Sequence, residues 1–150
     1  MASYDRVVHV DTALAATLFN RIRTRLPAED RNIVGCNDHF RLSRYQPGEE
    51  VKKHTDGVNQ DKWGNRSRYT VNIFLNDDFT GGETEFWVGD LMDRRRPIVA
   101  TPTDIMRHIV ATPKAGRGVL FHHDILHCGN RVLTGQKFLI RTDVMVRDGF

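Results

Sequence analysis

The spacing of apolar residues changes once along this chain, at Pro27, and this change limits what the chain can fold into. Before Pro27, apolar residues recur at every fourth position, as they do on one face of a helix. They are Leu14, Leu18, Ile22 and Leu26. The pattern predicts one helix over residues 11–26, with Asp11 or Thr12 as its N-cap and Pro27 at its end.

Beyond Pro27 the apolar residues follow the two-residue period of a half-buried strand. Phe40 and Leu42, for example, alternate with Arg41 and Ser43. Strands separated by turn segments are predicted at residues 40–45, 69–75, 84–88, 105–111, 118–121 and 137–146. This pattern predicts a mainly β fold, a sandwich or open barrel covered by the N-terminal helix.

Two stretches lack either period, residues 57–68 and 89–102, and we expect both to be loops at one end of the sheets. Loops on a rigid scaffold commonly carry specificity. Trp63 in the first loop and the run Arg94, Arg95 and Arg96 in the second are therefore candidate substrate contacts. The segment IVATP occurs at residues 98–102 and again at 109–113, which is too short a repeat to indicate a repeat fold.

Length and composition are typical of one soluble domain over residues 1–150. The 22 Lys plus Arg and 19 Asp plus Glu give a net charge of +3, too small to predict nucleic-acid binding. No apolar run is long enough to span a membrane. The N-terminus lacks the pattern of a signal peptide, so a cytoplasmic location is expected. Cys36 and Cys128 form no CxxC pattern, and we expect both to be reduced thiols.

The densest chemical signal is the pair His54 and Asp56. Residues i and i+2 of a strand point to the same face, so these two side chains can converge on one ion. His127, 73 residues after His54 and next to the apolar segment GVLFHH, could complete the set. Two histidines and one carboxylate leave three coordination positions open, as in non-haem Fe(II) oxygenases. The lack of cysteine ligands argues against structural zinc.

The residues alone leave this assignment open, because HxD is a weak motif and the chain holds a second one, His122–His123–Asp124. We interpret His122 and His123 as strand-end residues with satisfied hydrogen bonds. The remaining histidines have no partner pattern.

The last predicted strand has two different faces. One is apolar enough to pack on a core and carries Phe138, Ile140, Thr142, Val144 and Val146. The other carries Lys137, Leu139, Arg141 and Asp143. A cation held near a metal could bind a carboxylate-bearing cosubstrate through a charge-assisted hydrogen bond. The alternative is an ordinary solvated strand face.

Three segments together resemble the 2-oxoglutarate- and Fe(II)-dependent dioxygenases, in particular their prolyl 4-hydroxylase-like branch. They are RYQPGEEVKKHTDG, RYTVNIFLNDDFTGGETEFW and PKAGRGVLFHHDILHCGNRVLTGQKFLIRTDVMV. The resemblance covers residues 40–146 and implies a double-stranded β-helix, a cupin-like jelly roll whose open end holds the iron. The jelly-roll core would span about residues 39–147, after the helical lead-in at 11–26.

The resemblance also implies roles for single residues. The iron ligands would be His54, Asp56 and His127. Lys137, ten residues after the last of them, would bind the distal carboxylate of 2-oxoglutarate, and Tyr45 would hydrogen-bond the same group. Thr70 and Phe74 would line the cosubstrate pocket. Arg141 would be a second anion contact, for either cosubstrate or substrate.

The implied reaction couples decarboxylation of 2-oxoglutarate to succinate with hydroxylation of an aliphatic carbon. Its cofactors would be Fe(II), 2-oxoglutarate and O2, with ascorbate as a compatible reductant. The expected substrate is a peptide or a small molecule of the amino-acid type. One alternative is a non-catalytic cupin-like binding module, which would be expected to lack one of the residues His54, Asp56, His127 and Lys137. Another is a metal-dependent hydrolase on the same fold, which would not need Lys137 or Tyr45.

Overall fold

The computed structural model describes residues 4–89 and 107–147. The predicted helix is confirmed as α1 (Thr12–Ile22). Asp11 is its N-cap, because the carboxylate accepts a hydrogen bond from the Leu14 amide at 2.8 Å. The last predicted turn, Arg23–Arg25, tightens into a 3-10 helix before Pro27. No helix in the described part of the chain is long and apolar enough to cross a membrane.

The described residues also form twelve strands. They are β1 (Asp5–Val10), β2 (Ile33–Cys36), β3 (His39–Tyr45), β4 (Val51–His54), β5 (Arg66–Phe74), β6 (Thr80–Gly81), β7 (Thr84–Val88), β8 (Arg107–Ala111), β9 (Gly118–His122), β10 (Leu126–Gly129), β11 (Val132–Thr134) and β12 (Lys137–Val146).

The strands form two main antiparallel sheets. One has the order β1-β3-β12-β5-β9, with β2 also paired to β12, and the other has the order β4-β10-β7-β8. The short strands β6 and β11 pair separately. Side chains of the two sheets meet between them, as in the edge-to-face pair Phe86 and Phe121 at 4.9 Å. The predicted mainly β jelly roll with a covering helix is confirmed.

Each predicted strand is present: β7 and β12 have the predicted ends, and the ends of β3, β5 and β9 differ from the predicted ones by one to three residues. Strand β8 is described from Arg107 onward. Strand β5 begins at Arg66 rather than Tyr69, so the first predicted loop ends earlier. The second predicted loop lies outside the described residues from position 90 onward, and so do Arg94 to Arg96 and the first copy of IVATP. The second copy lies in and just after β8. Strands β1, β2, β4, β6, β10 and β11 were not predicted, because they are short or lack alternating apolar residues.

The helix covers the outer face of the larger sheet, where Leu26, Tyr69, Val71 and Val144 form one core cluster against residues of α1. A second cluster lies on the opposite, inner face of this sheet and contains Tyr45, Phe74, Val132 and Leu139. The sheet therefore has two buried faces, and the inner one leads to the functional site.

Strand β12 departs from the expected division into a core face and a solvent face. Val144 on the outer face is fully buried, but Phe138 on the same face is 37% exposed. Lys137, on the face that could have been solvated, is only 3% exposed. The helix covers one half of the outer face, while the Lys137 face turns toward the second sheet.

Candidate metal centre

Two neighbouring strands of the smaller sheet bring His54, Asp56 and His127 together. His54 is the last residue of β4 and pairs in register with His127 on β10. Asp56 lies two residues beyond the end of β4, and its amide donates to the His123 carbonyl at 3.0 Å. One nitrogen or oxygen of each side chain lies within 4.8 Å of the others. Asp56 Oδ1 is 3.2 Å from His54 Nε2 and 3.5 Å from His127 Nε2.

Backbone carbonyls orient both imidazoles. His54 Nδ1 lies 2.6 Å from the Lys52 carbonyl oxygen, and His127 Nδ1 lies 2.8 Å from that of Ile125. Each Nδ1 therefore carries the proton and donates it, which leaves the Nε2 lone pair free on the side of Asp56. Two imidazole nitrogens and one carboxylate oxygen are donors that suit Fe(II). This group could bind iron.

The site is buried on one side and open on the other. The side chains of Asp56 and His127 are 2% and 6% exposed, whereas that of His54 is 38% exposed. Burial raises the pKa of Asp56, but the neighbouring His127 imidazole, the Arg141 charge and the Thr70 hydrogen bond together hold it well below its usual range. Asp56 is therefore a carboxylate at neutral pH, as a metal ligand must be.

Behind Asp56 lies a chain of buried hydrogen bonds. Thr70 Oγ1 donates to Asp56 Oδ2 at 2.6 Å, so it must accept from His123 Nδ1 at 3.0 Å. His123 Nε2 then accepts from the Ser67 hydroxyl at 2.7 Å. This requires a neutral imidazole, and burial indeed lowers the pKa of His123.

The same chain returns to Asp56 through the last strand. Ser67 Oγ accepts from the backbone N–H of Asn59 at 2.7 Å, and the side-chain Nδ2 of Asn59 donates to Asp143 Oδ2 at 2.6 Å. Arg141 donates from Nη2 to Asp143 Oδ1 at 3.2 Å and from Nη1 to Asp56 Oδ1 at 3.4 Å. The hydrogen bonds close a ring that fixes the position of the Asp56 carboxylate.

The second HxD triplet gathers no third ligand among the described residues. His122 Nδ1 accepts from the Asp124 amide at 3.1 Å and lies 3.5 Å from Asp124 Oδ2, and the Asp124 side chain is 72% exposed. His123 belongs to the ring behind Asp56. In the part of the chain that the structure describes, no second set of three ligand residues has its donor atoms this close together.

Lys137 lies deep between the sheets. It is opposite Tyr45 in the pairing of β12 with β3, and its Nζ is 4.9 Å from the Tyr45 ring centre and 5.6 Å from that of Phe74. Gly82, at a φ of +68°, packs on its stem, and a Cβ there would lie 3.1 Å from Lys137 Cδ. Burial lowers the pKa of Lys137 to about 8, against the opposing charge of Glu83.

One cavity connects the three-residue cluster with Lys137. Its lining includes His54, His127, Tyr45, Lys137 and Arg141, which are five of the eight residues that the resemblance assigned to the iron, the cosubstrate pocket and the anion contacts. The other three lie behind the wall: Asp56, Thr70 and Phe74. Thr70 donates to Asp56, while Phe74 is fully buried beneath Lys137.

Trp63 lies elsewhere. It is 68% exposed and borders a groove between α1 and β2 rather than this cavity. It therefore does not lie in the wall around His54 and His127.

Sequence reasoning missed several polar residues of the cavity wall, among them Tyr4, Arg6, Arg41 and Asn72. One available signal was spacing, because Arg41 is four residues before Tyr45, just as Arg141 is four residues after Lys137. An even spacing places each arginine on the inner face of its strand. Asp143 shares this even spacing with Lys137 and Arg141 on β12, whereas the ring members Asn59 and Ser67 had no signal of this kind.

Comparison with protein families gives a match to the 2OG-Fe(II) oxygenase superfamily over residues 40–142. The matched region contains the three clustered ligand residues, Lys137 and Arg141. No curated protein sequence matches this chain.

Solved prolyl hydroxylase structures resemble this fold. The viral collagen prolyl hydroxylase of Paramecium bursaria Chlorella virus-1, in complex with 2-oxoglutarate, has a TM-score of 0.65 and 18% identity, over 97% of this chain and 80% of the viral one. A Pseudomonas putida prolyl-4-hydroxylase has a TM-score of 0.66 and 13% identity, over 97% and 73%. A Trichoplax adhaerens prolyl hydroxylase, bound to a hypoxia inducible factor peptide fragment, has a TM-score of 0.62 and 15% identity, over 94% and 63%.

Proposed function

Because this chain belongs to the 2OG-Fe(II) oxygenase superfamily, we propose that it hydroxylates an aliphatic carbon while converting 2-oxoglutarate to succinate and CO2. The chain is an oxygenase, and its cofactors are Fe(II), 2-oxoglutarate and O2. One observation carries the proposal: the His54, Asp56 and His127 donor atoms converge within 4.8 Å, at the end of a cavity that also holds Lys137.

His54 Nε2, His127 Nε2 and Asp56 Oδ1 would hold the iron. Bound Fe(II) would supply the activation of O2 that makes a C–H bond reactive. The protein contributes a fixed ligand set, because backbone carbonyls hold the imidazoles and the hydrogen-bonded ring holds Asp56. The open side near His54, whose side chain is 38% exposed, leaves room for ligands from outside the protein.

Lys137 would bind the distal carboxylate of 2-oxoglutarate. Its ammonium is surrounded by the rings of Tyr45 and Phe74, where a charge-assisted hydrogen bond is stronger than in water. A buried cation with no bound anion is costly, and a carboxylate in the cavity removes that cost. Tyr45 borders the same end of the cavity, where its hydroxyl would add a second hydrogen bond.

The shared fold does not define the substrate, so the substrate class is part of our proposal. The similar structures are a viral collagen prolyl hydroxylase, a bacterial prolyl-4-hydroxylase and a prolyl hydroxylase bound to a hypoxia inducible factor peptide fragment. Identities of 13% to 18% support a shared fold, and we propose a peptide or an amino-acid-type molecule as the substrate class.

Titration of the protein with Fe(II) and 2-oxoglutarate without oxygen tests this function. We expect the weak visible absorption of an iron-bound 2-oxoglutarate chelate, followed by succinate formation when O2 is admitted. His127→Ala should abolish both signals, because two ligands hold Fe(II) weakly, while His122→Ala should keep both. Absence of the chelate band in the parent protein, or equal loss in the two variants, would refute the assignment.

A further inference from the structure

Three arginines lie side by side on the inner face of the larger sheet, and we call them the arginine row: Arg6, Arg41 and Arg141. Arg41 on β3 pairs directly with Arg141 on β12. Arg6 on β1 pairs with Ser43, two residues from Arg41 on the same face of β3. All three line the cavity that contains His54 and His127. The row runs from exposed Arg6 at the sheet edge to half-buried Arg141 beside Asp56.

The row has more hydrogen-bond donors than the protein satisfies. Arg141 uses Nη1 and Nη2 for Asp56 and Asp143, but its buried Nε has no partner. Among the described residues, no hydrogen bond or ion pair joins the Arg41 guanidinium to an acid. A buried donor without a partner is costly.

The charges in the row repel one another. Like charges opposite each other on neighbouring strands destabilise a sheet. Burial lowers the pKa of Arg41, and the charges of Arg141 and Arg6 lower it further, partly opposed by Asp143 and Asp56. None of the described residues that line the cavity is acidic. By contrast, Arg44 on the outer face of the same strand forms an ion pair with Asp5.

One molecule of 2-oxoglutarate does not account for Lys137 and the whole row. Anchored on Lys137 and bound to an iron held by Asp56, it would end near Arg141, whose Nη1 is 3.4 Å from Asp56 Oδ1, and Arg41 and Arg6 lie beyond it along the row. Arg141 is four residues from Lys137 along β12, a distance of about 13 Å between Cα atoms. Tyr45 and Arg41 are separated in the same way on β3. A five-carbon diacid reaches about 6 Å from end to end. The cavity therefore has two cationic regions, and Lys137 is the enclosed one.

We propose that the arginine row binds a carboxylate of the substrate, so that the hydroxylated substrate is an acid. This inference rests on the proposed oxygenase function and assigns the substrate class of that same site. Guanidinium groups match carboxylates through paired hydrogen bonds, and an anion between Arg41 and Arg141 would satisfy idle donors and relieve their repulsion. The carboxylate could belong to a free acid or to an acidic residue of a peptide.

Binding to the oxygen-free Fe(II) and 2-oxoglutarate complex tests the inference without any turnover. The probes are N-acetyl-L-proline, its neutral amide, and N-acetyl-L-glutamyl-L-prolinamide, each titrated calorimetrically. We expect at least one acid to bind about tenfold or more tightly than the neutral amide, which is the loss expected for one charged hydrogen bond. Tighter binding of N-acetyl-L-proline would indicate that the substrate is a free acid. Tighter binding of N-acetyl-L-glutamyl-L-prolinamide would indicate an acidic peptide.

Variants separate the row from other cations. Arg41→Gln should remove most of the preference for the acid, and Arg6→Gln, at the exposed edge where folding is not at risk, should reduce it. Arg44→Gln, on the outer face, should leave it unchanged. Equal affinity for acids and amide, no binding of either acid, or an unchanged preference in Arg41→Gln and Arg6→Gln would overturn the inference.

The same titrations separate this inference from the function on which it rests. Failure of the oxygenase function would appear in the parent protein as a missing 2-oxoglutarate chelate band. Failure of the inference would leave that band intact and remove only the preference for acids. If Arg41→Gln weakens 2-oxoglutarate binding as much as binding of the acid probe, Arg41 belongs to the cosubstrate site and the inference is wrong.

Discussion

A single buried ammonium group, Lys137, controls the electrostatics at the enclosed end of the cavity. It is 3% exposed and has two aromatic rings as neighbours, so its charge is poorly solvated when no anion is bound. Burial brings its pKa down to about 8, within the range of ordinary enzyme assays. The protonation of Lys137 is therefore coupled to the binding of any carboxylate beside it.

We predict that the affinity for 2-oxoglutarate falls as the pH rises above about 8. Only the ammonium form attracts the carboxylate, and a bound carboxylate raises the pKa of Lys137, so binding takes up a proton between the free and the bound pKa values. In that window the Kd should rise by up to about tenfold per pH unit. Calorimetry from about pH 7 to about pH 9 measures this dependence, and buffers with different ionisation heats measure the proton uptake.

Lys137→Arg is the matched control, because a guanidinium keeps its charge throughout this range. Its Kd for 2-oxoglutarate should be nearly independent of pH. Lys137→Ala should weaken 2-oxoglutarate by at least about tenfold, with little change in Fe(II) affinity. A parent Kd that does not change between neutral and alkaline pH would contradict the assignment of Lys137 as the anchor.

At the scale of the element, the adjacent strands β5 and β12 use the two faces of one sheet differently. The inner face supports the candidate site, and the outer face contributes only to stability. Each strand carries a fully or almost fully buried threonine, Thr70 at 0% and Thr142 at 4% exposure. Thr70 faces inward and donates to Asp56 at 2.6 Å. Thr142 faces outward and donates to the Asn37 carbonyl at 2.7 Å. The two hydroxyls are similarly buried, but that of Thr70 orients a candidate metal ligand, whereas that of Thr142 binds a backbone carbonyl.

We predict that Thr70→Val weakens Fe(II) binding by roughly tenfold or more, because it removes the hydrogen bond that orients Asp56 and breaks the ring through His123. Both Thr70→Val and Thr142→Val should lower the free energy of unfolding by about 1 to 3 kcal/mol, since each leaves a buried acceptor without its donor. Metal titration and denaturant unfolding of both variants separate the two effects. Equal Fe(II) affinities would show that the ring has no role in positioning the metal ligand.

The elements that were predictable from the sequence are those with a strong local pattern. Helix α1 has apolar residues at every fourth position and a capping aspartate, and β12 alternates over ten residues. Strand β4 has one apolar residue among four, VKKH, and β1 is exposed along its whole length. These strands form because strands distant in the sequence supply their hydrogen-bond partners. Such pairing produces no periodic pattern in the strand's own sequence, so it could not be predicted.

At the scale of the whole molecule, the candidate site combines residues that are far apart in the sequence. The HxD motif, the distal His127 and Lys137 could be selected from spacing and from family resemblance. The even spacing of Arg41 and Asp143 indicates only which face of a strand they occupy. Their proximity to the site, like that of Asn59, depends on which strands pair and which faces meet. The register of β3 with β12 places Arg41 beside Arg141, and it arises only when the sheet is complete.

At this same scale, we predict that removing the metal lowers the melting temperature of the protein but leaves the fold intact. The two core clusters contain none of the three ligand residues. His54 and His127 are paired through the backbone, and the Asp56 amide bonds to the His123 carbonyl. The ligands are therefore held in place by the sheets rather than by the ion.

Metal at one hundred times its Kd adds about 2.7 kcal/mol of stability, which for a chain of 150 residues corresponds to a rise of about 5 to 10 °C in Tm. Far-ultraviolet circular dichroism of the chelator-treated protein should match that of the loaded form, and calorimetric scans should show the shift. His122→Ala should retain the shift and His127→Ala should lose it, because His127 is one of the three ligand residues and His122 is not. A protein that unfolds on chelation at room temperature would mean that the ligands depend on the metal for their positions, contrary to what their hydrogen bonds indicate.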